Sequence, residues 1–429
     1  MIRTHFNTIC WLVLSVACFA LGWFCKPESG TERASASGME GVALGRVEAL
    51  PAAEAPAKHA EGAVLSPEAS ELEKGFPAGR PLTSADIDEL GRQFRQELDP
   101  TQRRLIFARL IAGLTAENAL EIRKQLAGMD PNSPEFYEFH YAWGKIAGAD
   151  AVLHGNETPE PDMAATMAGW ASADPAAAQA WFASLEKQSD TNHANQDHLK
   201  MALVQGLAAT DPAEALRFIQ GMAASGDKQT DQMMNLLTSK MLQSKGAVES
   251  AAWAASLPNG ALRNTAMAQV ARDYARSDPQ GAASWAGQYG NEVGGGRILG
   301  EVSNEWALRD GPAAVGWLQS LSDGPAKNGA YFQAFDGWAA KDPMSASQYL
   351  VTMPPSPSRD QAIGGLVNRY RWEDPVSAVT WAGDIQDPAT RENSRVMAGQ
   401  AYYTRDPAGA TNWLASSGLS TGAQGRVVH

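Results

Sequence analysis

Residues 306–317 read WALRDGPAAVGW, 338–349 WAAKDPMSASQY, 370–381 YRWEDPVSAVTW and 402–413 YYTRDPAGATNW. In each stretch an aromatic residue stands four positions before an Asp, Ala stands four after it, and a second aromatic stands seven after it. Pro follows the Asp directly in three of the four. An N-cap Asp accepts hydrogen bonds from the free amides of the first helical turn, and Pro at the first helical position gives up only an amide that would have had no partner. The motif therefore predicts that one helix ends and the next begins at each Asp.

The same joint recurs along most of the chain. Asp174, Asp211, Asp278, Asp310, Asp342, Asp374 and Asp406 are expected to be structural helix caps, with Gly246–Ala247 and Ala147–Gly148 as degenerate joints. From 246 to 406 successive joints are 32 residues apart, and the earlier gaps are 27, 37 and 35. Positions +4, +7, +8 and +11 from a joint share one helical face, and apolar residues at +11 such as Leu185, Leu257, Leu321 and Ile385 complete a buried stripe. A Gly- or Pro-bearing turn follows, as in Leu257-Pro258-Asn259-Gly260, and a second helix returns to the next joint. Each unit reads as a helical hairpin. So short a hairpin cannot enclose a core alone, which forces the units to stack. The expected fold is all-α, an α-solenoid of about nine units over residues 147–429. Three amphipathic helices in residues 84–146 form a lead-in that caps the stack.

The segment Asp174-Pro175-Ala176-Ala177-Ala178-Gln179-Ala180-Trp181 resembles the junction between units of the tetratricopeptide class of helical repeats, and the other joints match it position by position. This resemblance implies a right-handed superhelix with a concave, peptide-binding surface. The chain departs from that class in its slightly shorter unit, in its Trp or Tyr before the joint, and in its apolar +11 residue. In layout it is also similar to bacterial membrane-anchored repeat proteins.

Residues 6–25 form an uncharged apolar run between Arg3 and Lys26, long enough to span a bilayer, with Trp11 and Trp23 toward its ends. Residues 1–25 are therefore expected to be a signal anchor, a single pass through a bacterial inner membrane with the body in the periplasm. Cleavage near Ala17, Ala20 or Gly22, giving a secreted or periplasmic protein, is the alternative, and a lipid-modified Cys18 is a third reading. Residues 26–83, rich in Ala, Pro, Glu, Gly and Ser, read as a disordered tether. Cys10, Cys18 and Cys25 all lie in the membrane run, so the body has no thiol for a disulfide framework or a thiolate metal site.

Charge narrows the partners. With 35 basic and 48 acidic side chains the net charge is −13, which repels a phosphate backbone, so nucleic acid is not an expected partner. Ten of the 13 Trp occupy the −4 and +7 positions and read as packing groups. Trp372 is the one in the body outside that register. Flanked by Arg369 and Arg371, it is a candidate partner contact.

No residue constellation names a reaction, a cofactor or a metal. His193 and His198 lack the spacing of a helical zinc pair, and Ser184 with Lys187 lacks the companion motifs of a serine–lysine nucleophile. Gly290–Arg297 has Arg where a phosphate loop has its Lys-Ser/Thr pair. His140, near Glu135 and Glu138, and His154, at a +7 position, read as structural. After Trp413 the chain stops where a returning helix would run, so an uncovered apolar end, open to a partner or a second copy, is expected unless a short tail covers it. The functional expectation is a membrane-tethered, non-catalytic scaffold that binds a protein or peptide. A hydrolase of envelope material and a self-associating spacer are the alternatives.

Overall fold

The computed structural model describes residues 72, 74–77, 79–157, 162–186 and 193–428. The expected membrane segment and most of the expected tether lie outside the described residues, while the described end of the tether, Leu72, Phe76 and Leu82 among it, packs on the lead-in. Among the described residues no helix is long and apolar enough to cross a membrane.

The described chain is all-α, with 21 α-helices in a repeat-like arrangement and no strand. The lead-in comprises α1 (Ser84–Gln96), α2 (Pro100–Ala112) and α3 (Ala119–Gln125). Thr83 caps α1 in a reciprocal capping box with Asp86, which fixes its start. Ile87, Leu90, Phe94, Phe107 and Leu110 close a core of their own, against which Leu72 and Phe76 also pack. The Arg109 guanidinium donates to the carbonyls of Phe76, Pro77 and Arg80 at 2.8–2.9 Å, tying the segment ahead of Thr83 to α2.

Helix pairs then alternate to the C-terminus. They are α4 (Pro134–Ala147) with α5 (Ala149–Glu157), α6 (Asp162–Ala173) with α7 (Pro175–Glu186), and α8 (His193–Thr210) with α9 (Pro212–Ala224). Next, α10 (Thr230–Ser256) breaks at Gly246, where φ is 80° and ψ 174°. That left-handed conformation suits Gly and makes the joint without an Asp-Pro pair. The regular part follows as α11 (Ala261–Ser277), α12 (Pro279–Ala286), α13 (Gly295–Ala307), α14 (Gly311–Ser320), α15 (Pro325–Lys341), α16 (Pro343–Thr352), α17 (Pro357–Glu373), α18 (Pro375–Gly383), α19 (Pro388–Arg405) and α20 (Pro407–Ser416).

The longer returning helices pack directly on one another, α11 on α13, α13 on α15, α15 on α17 and α17 on α19, while each short helix sits against the long helices before and after it. Glycine sets the closest approaches. A Cβ on Gly365 would lie 2.2 Å from the Phe332 carbonyl oxygen, and one on Gly337 would lie 2.6 Å from that of Asn304. All nine +4 residues, Ala151, Ala178, Ala215, Ser250, Ala282, Ala314, Ala346, Ala378 and Ala410, have 0% exposure, because the short helix meets its neighbours at that point. A continuous apolar core runs from Val152 to Ala398. Burying this surface against the next unit is what stabilises hairpins that have no closed core of their own.

Polar groups fix the relative positions of the units. Arg272 on α11 makes a two-pronged pair with Glu301 on α13 at 2.8 and 2.9 Å, and Arg276 repeats it with Glu305. Asp360 on α17, 5% exposed, accepts from the Gln386 and Asp387 amides ahead of α19 at 2.8 and 2.9 Å.

The C-terminal end differs from the sequence reading. The chain after Trp413 does form a returning helix, α21 (Thr421–Val428), and it covers the last unit. Ala423, Val427 and Leu419 pack with Val396 and Leu414. Gly418, at φ 67°, turns the chain, and Arg426 pairs with Glu392 at 3.2 Å. Only eight residues were needed, and their small and β-branched apolar positions are too few to show a helical period in the sequence.

Candidate functional site

The Asp-Pro edge is the part of the molecule that recurs most regularly. Each of its Asp side chains accepts a hydrogen bond from an amide of the first helical turn. Asp174, Asp278, Asp310, Asp342, Asp374 and Asp406 take the amide three residues on, and Asp211 the one two residues on, at 2.8–3.1 Å. The Ser377 hydroxyl and then the Ser377 amide hold the Asp374 carboxyl below the usual carboxylate range, and Ser345 does the same for Asp342. These carboxylates are bound to their own helices.

The aromatic residues before and after a joint meet across it. Ring centroids are 5.6 Å apart for Trp170 and Trp181, 6.1 Å for Trp306 and Trp317, 5.4 Å for Trp338 and Tyr349, and 6.5 Å for Tyr402 and Trp413. In the first unit His154 takes the second place, 5.3 Å from Trp143. Most of these rings keep one side half-exposed.

The candidate contact residues at the end of α17 divide. The Arg369 guanidinium lies 2.6 Å from the Asp336 carboxylate on α15 and also donates to the Asp336 carbonyl, while Asn368 donates to the same carboxylate. Arg369 thus joins two units. Arg371 instead lies over the Trp372 ring, 5.0 Å from its centroid, and Trp372 is 64% exposed. Arg405 of the next unit donates to the Trp372 and Glu373 carbonyls, which fixes the backbone beneath this cation–aromatic pair. Met344, 68% exposed, and Val376 lie in the first turns of α16 and α18, each two residues past a joint, as Trp372 lies two residues before one.

The other residues weighed for chemistry are dispersed. His140 is buried among Phe136, Phe139 and Trp143, with its Nδ1 2.7 Å from the Phe136 carbonyl oxygen. Burial pushes its pKa down to about 4. Glu135 and Glu138 pair with Arg104. The Ser184 hydroxyl donates to the Trp181 carbonyl at 2.6 Å, and Lys187 lies outside the described residues. His198 is exposed on α8, and the His193 side chain is outside the described set. Gly294, at φ 90°, starts α13 and leaves Arg297 in its first turn. Among the described residues no group of three His, Cys, Asp or Glu side chains is placed to hold a metal ion.

Sequence reasoning missed a cation that recurs 15 residues before a joint. Arg263, Lys327 and Arg391 reach back to carbonyls at the end of the preceding short helix, Lys327 to Leu321 at 2.8 Å and Arg391 to Ile385 at 2.7 Å. A cation suits the negative end of a helix dipole. The signal was present as constant spacing, and Arg359 occupies the same place.

Together the fold and this edge define an all-α protein of stacked helices in a repeat-like arrangement. Comparison with protein-family models, with curated proteins and with solved structures finds no match.

Proposed function

We propose that this chain is a membrane-tethered α-solenoid of tetratricopeptide-like hairpins that holds a protein or peptide partner without chemistry of its own. In this reading residues 6–25 anchor it in a bacterial inner membrane, and the tether that follows lets the body reach its partner in the periplasm, with Leu72, Phe76 and Leu82 at its end already packed on the lead-in core. The uncharged run and the thiol-free body support that placement.

One observation carries the partner-holding role. Val248, Met344, Trp372 and Val376 are 53–68% exposed apolar residues, and every one stands two positions from a joint. Single exposed apolar residues are ordinary on a protein surface, but Met344 and Val376 hold the same +2 place in successive units and Trp372 stands two residues before the joint that Val376 follows, so these three cluster at neighbouring joints, with Val248 in the same +2 place earlier in the chain. Arg371 over the Trp372 ring adds an aromatic–cation group of the kind that dominates binding energy at protein interfaces.

The test is site-specific photo-crosslinking of the full-length protein in native membranes, with the crosslinker at Met344 or Trp372 and, as control, at Val293, which is 88% exposed and off the edge. A discrete adduct from the edge positions that is absent from the control, and reduced when Arg371 is changed to Glu, is the expected result. Equal labelling from all three positions would remove the reading.

A further inference from the structure

We propose that the cleft between α12 and α14 binds a neutral oligosaccharide. The site uses other residues than the exposed edge and does not depend on the partner-holding role.

The cleft is shallow and open to solvent, with a volume of about 540 Å³. Trp306 and Trp317 form its aromatic wall, their rings 6.1 Å apart and tilted by 32°, both half-exposed. Gln280, Ser284 and Gln288 face them from α12 and its end, and Ser320 closes the rim. No charged side chain lines it, on a chain with a net charge of −13. With no ionic side chain in its lining, the cleft has nothing to pair with a charged ligand, so the ligand class is uncharged.

Hydrogen-bond inventory separates a sugar from the other neutral ligand that aromatic grooves take, a proline-rich peptide. The Ser284 hydroxyl already donates to the Gln280 carbonyl at 3.0 Å, and the Ser320 hydroxyl to the Trp317 carbonyl at 2.6 Å. Both therefore keep lone pairs for a ligand, Gln280 offers an acceptor and two N–H donors, and Gln288, whose amide nitrogen donates to the Ser284 carbonyl at 3.3 Å, keeps its acceptor and one N–H. A ligand that fits must donate as well as accept. Proline-rich backbone offers carbonyls and few N–H groups, whereas every sugar hydroxyl does both. The C–H face of a pyranose ring, which is apolar and weakly positive, complements the negative face of an indole.

The test uses the full-length protein in phospholipid nanodiscs, so that no sugar-headed detergent competes, titrated by calorimetry with two neutral β-linked tetrasaccharides, of N-acetylglucosamine and of glucose, and with a proline-rich decapeptide. Saturable binding of either tetrasaccharide is expected, weakened about tenfold by Gln288→Glu, which puts a charge at the rim of an exposed position without touching the core. Trp317→Ala should abolish it. Three results overturn the proposal: no saturable tetrasaccharide binding by the folded protein, binding unchanged in both variants, or binding of the decapeptide alone.

Discussion

Trp306 at the end of α13 and Trp317 in α14 meet across the Asp310 cap with their rings tilted by 32° and their centroids 6.1 Å apart. They are eleven positions apart in the chain, and the cap between them, Asp310 accepting from the Ala313 amide at 3.0 Å, fixes the angle at which the two helices meet. The aromatic pair and the cap form one device, repeated where the sequence repeats. The carboxylate satisfies the amides that the sharp turn exposes, and the rings fill the outer side of the angle.

Removing the cap should loosen the short helix first. Asp374→Ala deletes the bonds to the Ser377 amide and hydroxyl and is expected to cost about 1 kcal/mol, seen as roughly fivefold faster hydrogen exchange of α18 amides. The Asp374 carboxyl titrates below its unfolded value of 3.8, so its contribution is full above that pH and is lost as pH falls through the folded value. Native and variant proteins should therefore converge in strong acid. Unchanged α18 exchange at neutral pH would show that the cap is dispensable.

The packing of α17 on α15 makes an opposite demand. In an isolated helix Gly→Ala gains roughly 1 kcal/mol in propensity. At Gly365 the added methyl would meet the Phe332 carbonyl oxygen at 2.2 Å, a backbone atom that moves only with its helix. Gly365→Ala is expected to destabilise the protein by about 1–3 kcal/mol despite the propensity gain. Thermal melting checks the sign, and a raised Tm would mean that the two helices have room to separate.

What the sequence disclosed and what it hid divide along the same line. Helix starts were legible because Asp and Pro act within one turn, and the buried stripe was legible because Ala378 and Trp381 recur at fixed offsets from Asp374. Contacts between units were not. Gly365 against Phe332, Arg272 with Glu301, and Asp360 with the Gln386 amide each join residues about one unit apart, and their identities change from unit to unit, so no repeat marks them. The helix α21 was hidden for a different reason, since its burial depends on Val396 and Leu414 and not on its own pattern. For the candidate contacts, the flanking charges of Trp372 were visible, but the commitment of Arg369 to Asp336 required knowing that α15 lies beside α17.

Ser250 occupies a +4 position held by Ala in the eight other units, and it is fully buried. Its hydroxyl oxygen has no hydrogen-bond partner among the described residues. A buried polar atom left unpaired costs on the order of 1–3 kcal/mol, so Ser250→Ala should raise stability by about 1 kcal/mol once the smaller contact is allowed for. An increase in the urea midpoint with an unchanged slope is the expected observation. A lower midpoint would show that the hydroxyl is satisfied in solution.

His140 on α4 makes the first helix pair sensitive to mild acid. Burial holds its pKa near 4, below the 6.5 of an exposed imidazole, with Arg123 and His154 adding repulsion to the protonated form. Between those values the unfolded chain binds a proton that the folded chain refuses, so stability rises with pH across that window and is lost as pH falls from about 6.5 toward 4. The loss approaches roughly 3 kcal/mol at the acid end. His140→Phe keeps an aromatic ring among Phe136, Phe139 and Trp143 but removes the titrating group. Although it also forfeits the contact with the Phe136 carbonyl and starts from a lower stability, its urea midpoint should vary less with pH than that of the native protein between pH 4 and 6.5. Parallel pH profiles for the two proteins would assign the acid sensitivity elsewhere.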